Sequence, residues 1–161
     1  MRVLRQPSAV YTLPVELIAN NGAPLGEKHI IFYNPPVINK QLGIRKSSLH
    51  QTRMLAGTLL DNKIQSIVFA RSRVQVEVLT KALKEQVSDQ LGQSRRVRGY
   101  RGGYLPGERR DIERSLRSGQ VDMVISTNAL ELGIDIGALD ACLLCGYPGT
   151  IASTWQQAGR A

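Results

Sequence analysis

The sequence predicts an α/β domain whose mostly parallel sheet carries helices on both faces, preceded by a β-hairpin extension. From Ser47 onward, short apolar runs alternate with longer segments of helical periodicity, which is the pattern of β-α-β units. Upstream, two strand-like runs flank Asn20-Asn21-Gly22, a strong turn signal. With 161 residues and 42% hydrophobic side chains, the chain can bury a core without disulfides.

The hairpin extension is expected near the start of the chain. Val15–Ile18 and His29–Tyr33 have strand-like composition on either side of the turn. Asn34-Pro35-Pro36 then ends the second strand, because proline has no backbone N–H to donate to a neighbouring strand. Residues 37–46 are expected to form a basic linker.

The main domain is assigned to residues 47–161, after a hairpin and interlobe connector over residues 1–46. Leu79, Leu83 and Val87 recur at helical spacing, whereas short apolar runs predict buried parallel strands. The predicted elements are a helix over Ser47–Leu60, a strand over Ile64–Ala70, a helix over Arg73–Leu91, a strand near Val97–Gly99, a helix over Gly107–Ser118, strands over Val121–Ser126 and Ala141–Gly146, and a helix from about Ser153.

Capping sequences follow three of the predicted strands. They are Ser72-Arg73-Val74-Gln75, a weaker version in Asn128-Ala129-Leu130-Glu131, and Ser153-Thr154-Trp155-Gln156. The helices would then start at the carboxyl edge of the sheet, where ligands bind in open α/β folds. Free N–H groups and the helix dipole favour phosphate there, with Arg71 and Arg101 nearby. Capping sequences also begin helices that bind nothing, and this alternative stays open.

Several kinds of catalytic site are absent from the sequence. A P-loop needs G-x-x-x-x-G-K-[ST] to bind phosphates, and this sequence contains no lysine directly after a glycine. No Asp-Glu pair of the Walker B type occurs either. Cys142 and Cys145 match C-x-x-C, but strand residues three apart point to opposite faces. They are therefore expected to be small buried side chains, and no metal site is predicted.

Basic charge dominates the chain and is unevenly distributed. Lys and Arg number 21 against 13 Asp and Glu, and every basic residue except Arg160 precedes residue 121. This balance suits a polyanionic partner, although a solvated basic surface suits it too. No run approaches the roughly 20 apolar residues that span a bilayer, so no membrane partner is expected. The two cysteines point to a reducing cytoplasm.

Four segments resemble, in order, motifs of the second RecA-like lobe of a superfamily 2 DNA helicase of the DEAD/DEAH-like type. Phe69–Arg73 resembles motif IV, and Gly99–Arg110 resembles the segment written Y-H-A-G-L-x-x-x-x-R in relatives. Ser126–Gly137 resembles motif V, and Gln156–Ala161 resembles the start of motif VI, Q-R-x-G-R-x-G-R. The resemblance covers residues 47–161. The hairpin and the tryptophan before motif VI further resemble a bacterial repair-helicase branch related to fungal RecQ-like enzymes.

The resemblance implies that several residues contact ATP. Arg160 would be an arginine finger that reaches the γ-phosphate, since its planar, permanently charged group suits the spread charge of phosphoryl transfer. Gln156 would sense the nucleotide, Asp135 would contact the ribose hydroxyls, and Gly133 would let the backbone pass close to the ligand. ATP and Mg²⁺ would be bound mainly by the first lobe. Each residue also suits an ordinary surface or helix-end position.

A second set of residues is implied to bind the phosphates of single-stranded DNA, with RNA as an alternative. Such contacts follow the backbone and carry no sequence preference. Thr127, with the amide of Asn128, would hold one phosphate, and residues after the first buried strand would hold the next. These side chains also suit helix caps or a solvated surface. The full set is Arg71, Ser72, Arg73, Arg101, Thr127 and Asn128.

The chain departs from the family pattern in motif VI. The pattern has arginine after its first glutamine, where this chain has Gln157, and its final Gly-Arg would follow Ala161. Because Met1 begins within what resembles an interlobe connector, we expect a piece of a larger helicase whose last motif is incomplete. Trp155 can stack on a base, but packing against the sheet is its expected role.

Together these features imply the C-terminal lobe of an ATP-dependent 3′–5′ DNA helicase or translocase. Its partner would be the first RecA-like lobe of the same parent, and its place the cytoplasm, at the nucleoid, in DNA repair. The chain alone is expected to hydrolyse no ATP, since it lacks Walker A and Walker B. A non-catalytic nucleic-acid-binding module and an RNA helicase lobe remain alternatives. A Rossmann-like domain is disfavoured because no G-x-G-x-x-G follows the first strand.

Overall fold

A computed structural model describes most of the chain, in the ranges 26–88, 96–131, 136 and 139–161. The chain divides into two compact units, Met1–Tyr33 and Asn34–Ala161. Residues 26–33 are the described part of the first unit, and they have no regular secondary structure. The boundary expected at residue 46 stays a prediction. Among the described residues, no helix combines the length and apolar character needed to cross a membrane.

The β-hairpin lies further along the chain than the sequence predicts. β1 (Val37–Asn39) pairs antiparallel with β2 (Ile44–Arg45), within the stretch predicted to be a linker. Gly43 lies in the connecting turn at φ +64°. The predicted strand over His29–Tyr33 is wrong, and its predicted partner Val15–Ile18 lies outside the described residues. Strand preference depends on the available partner as well as on composition, so the hairpin was predicted in kind but not in place.

Helices and strands alternate through the rest of the chain, as predicted. Only the end of the second helix, predicted at Leu91, lies outside the described residues. The elements are α1 (Ser48–Asp61), β3 (Ser66–Phe69), α2 (Arg73–Ser88), β4 (Val97–Tyr100), α3 (Pro106–Arg117), β5 (Met123–Ser126), a 3₁₀ turn (Asn128–Leu130), β6 (Ala141–Leu144) and α4 (Ile151–Ala158).

The strands β3 to β6 form one parallel sheet in the order β4-β5-β3-β6. Its register aligns the last residue of every strand. Phe69 lies beside both Ser126 and Leu144, and Ser126 lies beside Tyr100. All four strands therefore end at one carboxyl edge, and the segments that follow them begin there.

Both faces of the sheet are buried, as predicted. Alternate residues of β3 enter two separate hydrophobic cores, because neighbouring side chains of a strand face opposite sides. Val68 belongs to the core that contains Leu60 of α1 and Leu83 of α2. Ile67 belongs to the core that contains Leu116 of α3. The two central strands, β3 and β5, are mostly apolar along their whole length because both of their faces are buried.

The predicted cap at the start of α2 is confirmed for Ser72, whereas the return bond of the capping box goes to Arg71 instead of to Ser72. Ser72 Oγ accepts a hydrogen bond from the Gln75 backbone N–H at 3.2 Å. In return, Gln75 Oε1 accepts one from the Arg71 backbone N–H at 3.0 Å. One N–H group that the helix leaves unpaired is thereby satisfied, and the Arg71 backbone after β3 is tied to the first turn of α2.

The other two predicted caps are wrong. α4 is capped by Thr150, whose Oγ1 accepts a hydrogen bond from the Ser153 backbone N–H at 3.0 Å, so Ser153 lies in the first turn. Asn128 begins only a 3₁₀ turn. The Glu131 carboxylate, which a capping box would direct back toward Asn128, instead accepts a hydrogen bond from Gln157. A distant partner thus outcompetes the local one.

Candidate functional site

A cavity of about 330 Å³ lies at the carboxyl edge of the sheet, where the segments after β3, β5 and β6 meet. This edge is where ligands bind in open α/β folds. The cavity is lined by Phe69, Ala70, Arg71, Thr127, Asn128, Cys145, Gly146, Tyr147, Pro148, Gly149 and Gln157.

Arg71 supplies the positive charge among the residues that line the cavity. Its side chain is exposed and follows β3 by two residues. Gly146, in the loop after β6, has φ +91°, and a Cβ added there would lie 3.4 Å from Arg71 Cδ. Glycine therefore provides the backbone conformation of this loop, and a Cβ there would be in ordinary contact with the arginine stem. A guanidinium at the rim of a polar cavity is suited to bidentate binding of phosphate.

The cavity brings together half of the predicted phosphate-binding residues. Arg71, Thr127 and Asn128 all line it, and they come from the ends of two adjacent strands. Thr127 makes no side-chain capping bond to the 3₁₀ turn that it precedes. Ser72 and Arg73 are exposed in the neighbouring first turn of α2 but do not line the cavity. The guanidinium of Arg71, the hydroxyl of Thr127 and the amide of Asn128 can all donate hydrogen bonds to phosphate oxygens.

Arg101 contacts an acidic residue of α2 and a nearby tyrosine. Its Nε lies 3.4 Å from Glu77 Oε1 on α2. Its guanidinium carbon lies 5.1 Å from the centre of the Tyr104 ring, within the range of a cation–π interaction. Because the charge is partly neutralised and the side chain does not line the cavity, Arg101 is less suited to phosphate than Arg71 is.

Arg160 follows the end of α4 and is anchored on the segment after β5. Its Nη2 donates a hydrogen bond of 2.8 Å to the backbone carbonyl of Glu131. Gln156, which was predicted to act with Arg160, is exposed on α4. The two other predicted nucleotide contacts, Gly133 and Asp135, lie outside the described residues.

Sequence reasoning missed two residues that join α4 to the cavity. Gln157 is only 6% exposed and lines the cavity, and its Nε2 donates a hydrogen bond of 3.0 Å to Glu131 Oε2. The available signal was the departure from the family pattern at position 157. The spacing along the chain contained no indication that Glu131 would be its partner.

The two cysteines are free thiols with different surroundings. Cys142 packs against the core on the α3 face, whereas Cys145 lines the cavity. Burial raises the pKa of Cys142 to about 12, so this thiol stays protonated at neutral pH. It donates a hydrogen bond of 3.3 Å to the backbone carbonyl of Gln157. Within the described ranges, no group of three His, Cys, Asp or Glu is arranged to hold a metal ion.

The expected packing of Trp155 against the sheet is wrong. Its side chain is 54% exposed on α4. Ile151, one turn earlier, and Tyr147, in the loop that lines the cavity, are also exposed. Leu144 and Cys142 of β6 pack against the core on this side, and the tryptophan stays at the surface.

A parallel sheet of four strands with both faces covered, and with ligand-binding segments at its carboxyl edge, is the arrangement expected of a RecA-like lobe. The family model described as the helicase conserved C-terminal domain matches residues 50–161. The chain belongs to this family, and the predicted membership in the second lobe of superfamily 2 helicases is confirmed.

The relatives include bacterial and fungal ATP-dependent helicases, in agreement with the predicted branch, whose role in repair stays a prediction. The chain is 57% identical over 148 residues to the uncharacterized ATP-dependent helicase YprA of Bacillus subtilis. This match covers 92% of the chain and 20% of YprA. It is also 40% identical over 150 residues to the ATP-dependent helicase HRQ1 of Saccharomyces cerevisiae. This second match covers 91% of the chain and 14% of HRQ1.

A solved helicase structure matches the fold closely. The crystal structure of the helicase MrfA bound to DNA and AMPPNP matches with a TM-score of 0.84 and 56% sequence identity. The match covers 91% of this chain and 20% of that one. The chain thus spans a fifth or less of the length of these relatives.

Proposed function

We propose that the chain is the second RecA-like lobe of an ATP-dependent DNA helicase or translocase of 3′–5′ polarity. The observation that carries this proposal is the convergence of Arg71, Thr127 and Asn128 on one cavity at the carboxyl edge of the sheet. The relatives support it, since they are named ATP-dependent helicases and MrfA is described in complex with DNA. In this proposal the parent acts in DNA repair in the bacterial cytoplasm.

The three cavity residues would grip the sugar–phosphate backbone of one DNA strand. The Arg71 guanidinium offers paired N–H donors and a permanent charge, and Thr127 and Asn128 add neutral donors beside it. Phosphate contacts fix the position of the strand without reading bases, as a translocating enzyme requires. Arg73 and Ser72, exposed at the start of α2, would meet the next phosphate along the strand.

The second role of the lobe would be to complete the ATP site of the parent protein. In the proposal, the first RecA-like lobe binds ATP with Mg²⁺, which neutralises charge on the phosphates. Arg160 would contribute its guanidinium to the γ-phosphate, Gln156 would sense the nucleotide, Asp135 would contact the ribose, and Gly133 would allow close approach of the backbone. Closing and opening of the two lobes would alternate the phosphate grip, so hydrolysis would become movement along the strand.

The phosphate grip can be tested with the purified chain. Binding of a fluorescein-labelled single-stranded DNA, followed by anisotropy over a range of salt concentrations, should give a log–log slope of roughly −2 to −3 for three or four phosphate contacts. Arg71→Ala should make the slope less steep by about 0.7. Arg117→Ala, the same charge change at the last residue of α3, is the control and should leave the slope near wild type. Salt-independent binding would refute the phosphate grip.

The role in ATP hydrolysis can be tested with the parent helicase. Single-stranded DNA should stimulate its hydrolysis of ATP, and Arg160→Ala should reduce this activity by about 10³–10⁵-fold, the range for arginine fingers. The chain of 161 residues should show no turnover above background. Preferential stimulation by RNA would favour an RNA helicase, and a parent with no DNA-stimulated or RNA-stimulated turnover would favour a non-catalytic binding module.

A further inference from the structure

We propose that Glu131 and Gln157 are positioning residues, which set the place of Arg160 according to whether a phosphate occupies the cavity. The inference rests on the proposed function, because it assigns a task to residues between the two proposed ligand sites. Neither residue touches the reacting atoms in this scheme. Both act through Arg160.

Glu131 makes contacts in two directions. On the cavity side, its backbone N–H donates to the backbone carbonyl of Asn128 at 3.0 Å and closes the 3₁₀ turn. On the α4 side, its carboxylate accepts from Gln157 Nε2 at 3.0 Å, and its backbone carbonyl accepts from Arg160 Nη2 at 2.8 Å. One residue therefore connects a cavity-lining turn to the guanidinium assigned to ATP.

Gln157 gives this connection a fixed point on the sheet. Its backbone carbonyl accepts hydrogen bonds from the Cys142 thiol of β6 at 3.3 Å and from the Arg160 backbone N–H at 3.1 Å. Its side-chain amide is buried, and a buried amide requires a partner, which Glu131 supplies. Because the acceptor is a carboxylate and the contact is partly buried, this hydrogen bond is stronger than a neutral, exposed one.

The moving part of the connection is the 3₁₀ turn. Turns of this type have poorer hydrogen-bond geometry than an α-helix, so the Asn128 and Glu131 backbone can adjust while Leu130 stays anchored in the core. A phosphate that binds the donors of Asn128 and Thr127 would displace the turn and, with it, the carbonyl of Glu131. The Arg160 guanidinium would follow. Since a misplacement of about 1 Å can cost 10²-fold in rate, a small displacement is sufficient to control turnover.

The same geometry accounts for glutamine where the family pattern has arginine. An arginine at position 157 would place a second permanent positive charge beside Arg160 and compete with it for Glu131. Gln157 satisfies the carboxylate without adding charge. The Arg160 guanidinium keeps its hydrogen bond to the Glu131 carbonyl, and the Glu131 carboxylate is occupied by Gln157.

A charge-swap experiment in the parent helicase tests the proposal. Gln157→Glu places two carboxylates against each other and breaks the hydrogen bond. The double variant Glu131→Gln with Gln157→Glu restores an amide–carboxylate pair in the reverse direction. We expect Gln157→Glu to lower the DNA-stimulated kcat by about 10–100-fold, with KM for ATP changed less than threefold, and the swap to recover activity to within about threefold of wild type. Gln120→Glu, the same charge change at an exposed position after α3, is the control.

The outcomes separate this proposal from its alternatives. If Gln157→Glu keeps wild-type stimulation, or if the swap fails to recover it, the positioning role is overturned. A merely structural role would lower the melting temperature and weaken nucleotide-free DNA binding in parallel with kcat, and that result also overturns it. A wild-type parent without DNA-stimulated hydrolysis refutes the proposed function itself, which is a distinguishable result.

A second measurement uses the chain of 161 residues without any ATP hydrolysis. The ¹⁵N-NMR signal of the Arg160 side-chain Nε–H should shift when single-stranded DNA is added. The shift should be lost in Gln157→Glu and return in the swap. An Arg160 signal that does not respond to saturating DNA would overturn the connection between the cavity and Arg160.

Discussion

Replacing Gly146 with alanine should affect both the stability of the lobe and its grip on phosphate. The backbone at Gly146 has φ +91°, a conformation that costs other residues about 1–3 kcal/mol. For a domain of this length each kcal/mol lowers the melting temperature by roughly 2–4 °C, so Gly146→Ala should melt several degrees below wild type. Urea denaturation measures the corresponding loss in the free energy of unfolding.

Gly119→Ala is the matched control for this change. Gly119 also has a positive φ, of +70°, and follows α3, which leads to the opposite edge of the sheet. A Cβ added at Gly119 would meet no atom within 4 Å, so this variant carries backbone strain without a new contact. The free energy of unfolding of Gly119→Ala should fall by about 1–2 kcal/mol, while its binding of single-stranded DNA should stay at the wild-type level.

Only the change at position 146 should weaken DNA binding. The added Cβ would lie 3.4 Å from Arg71 Cδ, at ordinary contact distance, so the fold accommodates it. It would, however, fill the space in which the Arg71 stem moves. If Arg71 loses its phosphate, the log–log salt slope becomes less steep by about 0.7. In an Arg71→Ala background the same glycine change should then cause no further loss of binding.

Two results would contradict this reasoning. Equal losses of binding in the variants at positions 146 and 119 would show that general destabilisation, rather than Arg71, explains the effect. Full additivity of Gly146→Ala and Arg71→Ala would show that the glycine acts through a different contact.

Three further predictions concern the surroundings of the site. Burial, together with the hydrogen bond of 2.8 Å from Tyr100 Oη to Glu113 Oε1, raises the pKa of Tyr100 to about 12. The stability that the protonated Tyr100 contributes is therefore complete below pH 10 and is lost as the pH rises toward 12. In urea titrations, the free energy of unfolding of Tyr100→Phe should fall less at alkaline pH than that of the wild type. The pKa of Cys142 is likewise raised to about 12, so iodoacetamide should alkylate this thiol at pH 8 at least ~100-fold more slowly in the native chain than in urea, as measured by peptide mass spectrometry. Arg101→Ala should reduce DNA affinity less than Arg71→Ala does, because its charge is already paired with an acidic neighbour, and the two anisotropy titrations compare them directly.

The parts of the fold that could be predicted depend on short-range patterns. The strand predicted over Ile64–Ala70 is observed at Ser66–Phe69. It could be predicted because a short apolar run indicates a strand that is buried on both faces. The cap of α2 was also predictable, because Ser72 and Gln75 are only three residues apart. The hairpin was displaced because a strand needs a partner, and local composition does not choose between nearby partners.

By itself, the sequence determined the order of helices and strands, the parallel sheet and the motifs that mark the helicase C-terminal family. Only the tertiary structure decided that Trp155 lies at the surface, that Arg101 is paired, and that Gln157 reaches Glu131. The physical reason is the range of the interactions. Periodicity, capping and turn chemistry act over a few residues, whereas the Glu131–Gln157 hydrogen bond joins residues 26 apart and forms only when β5, β6 and α4 are packed together.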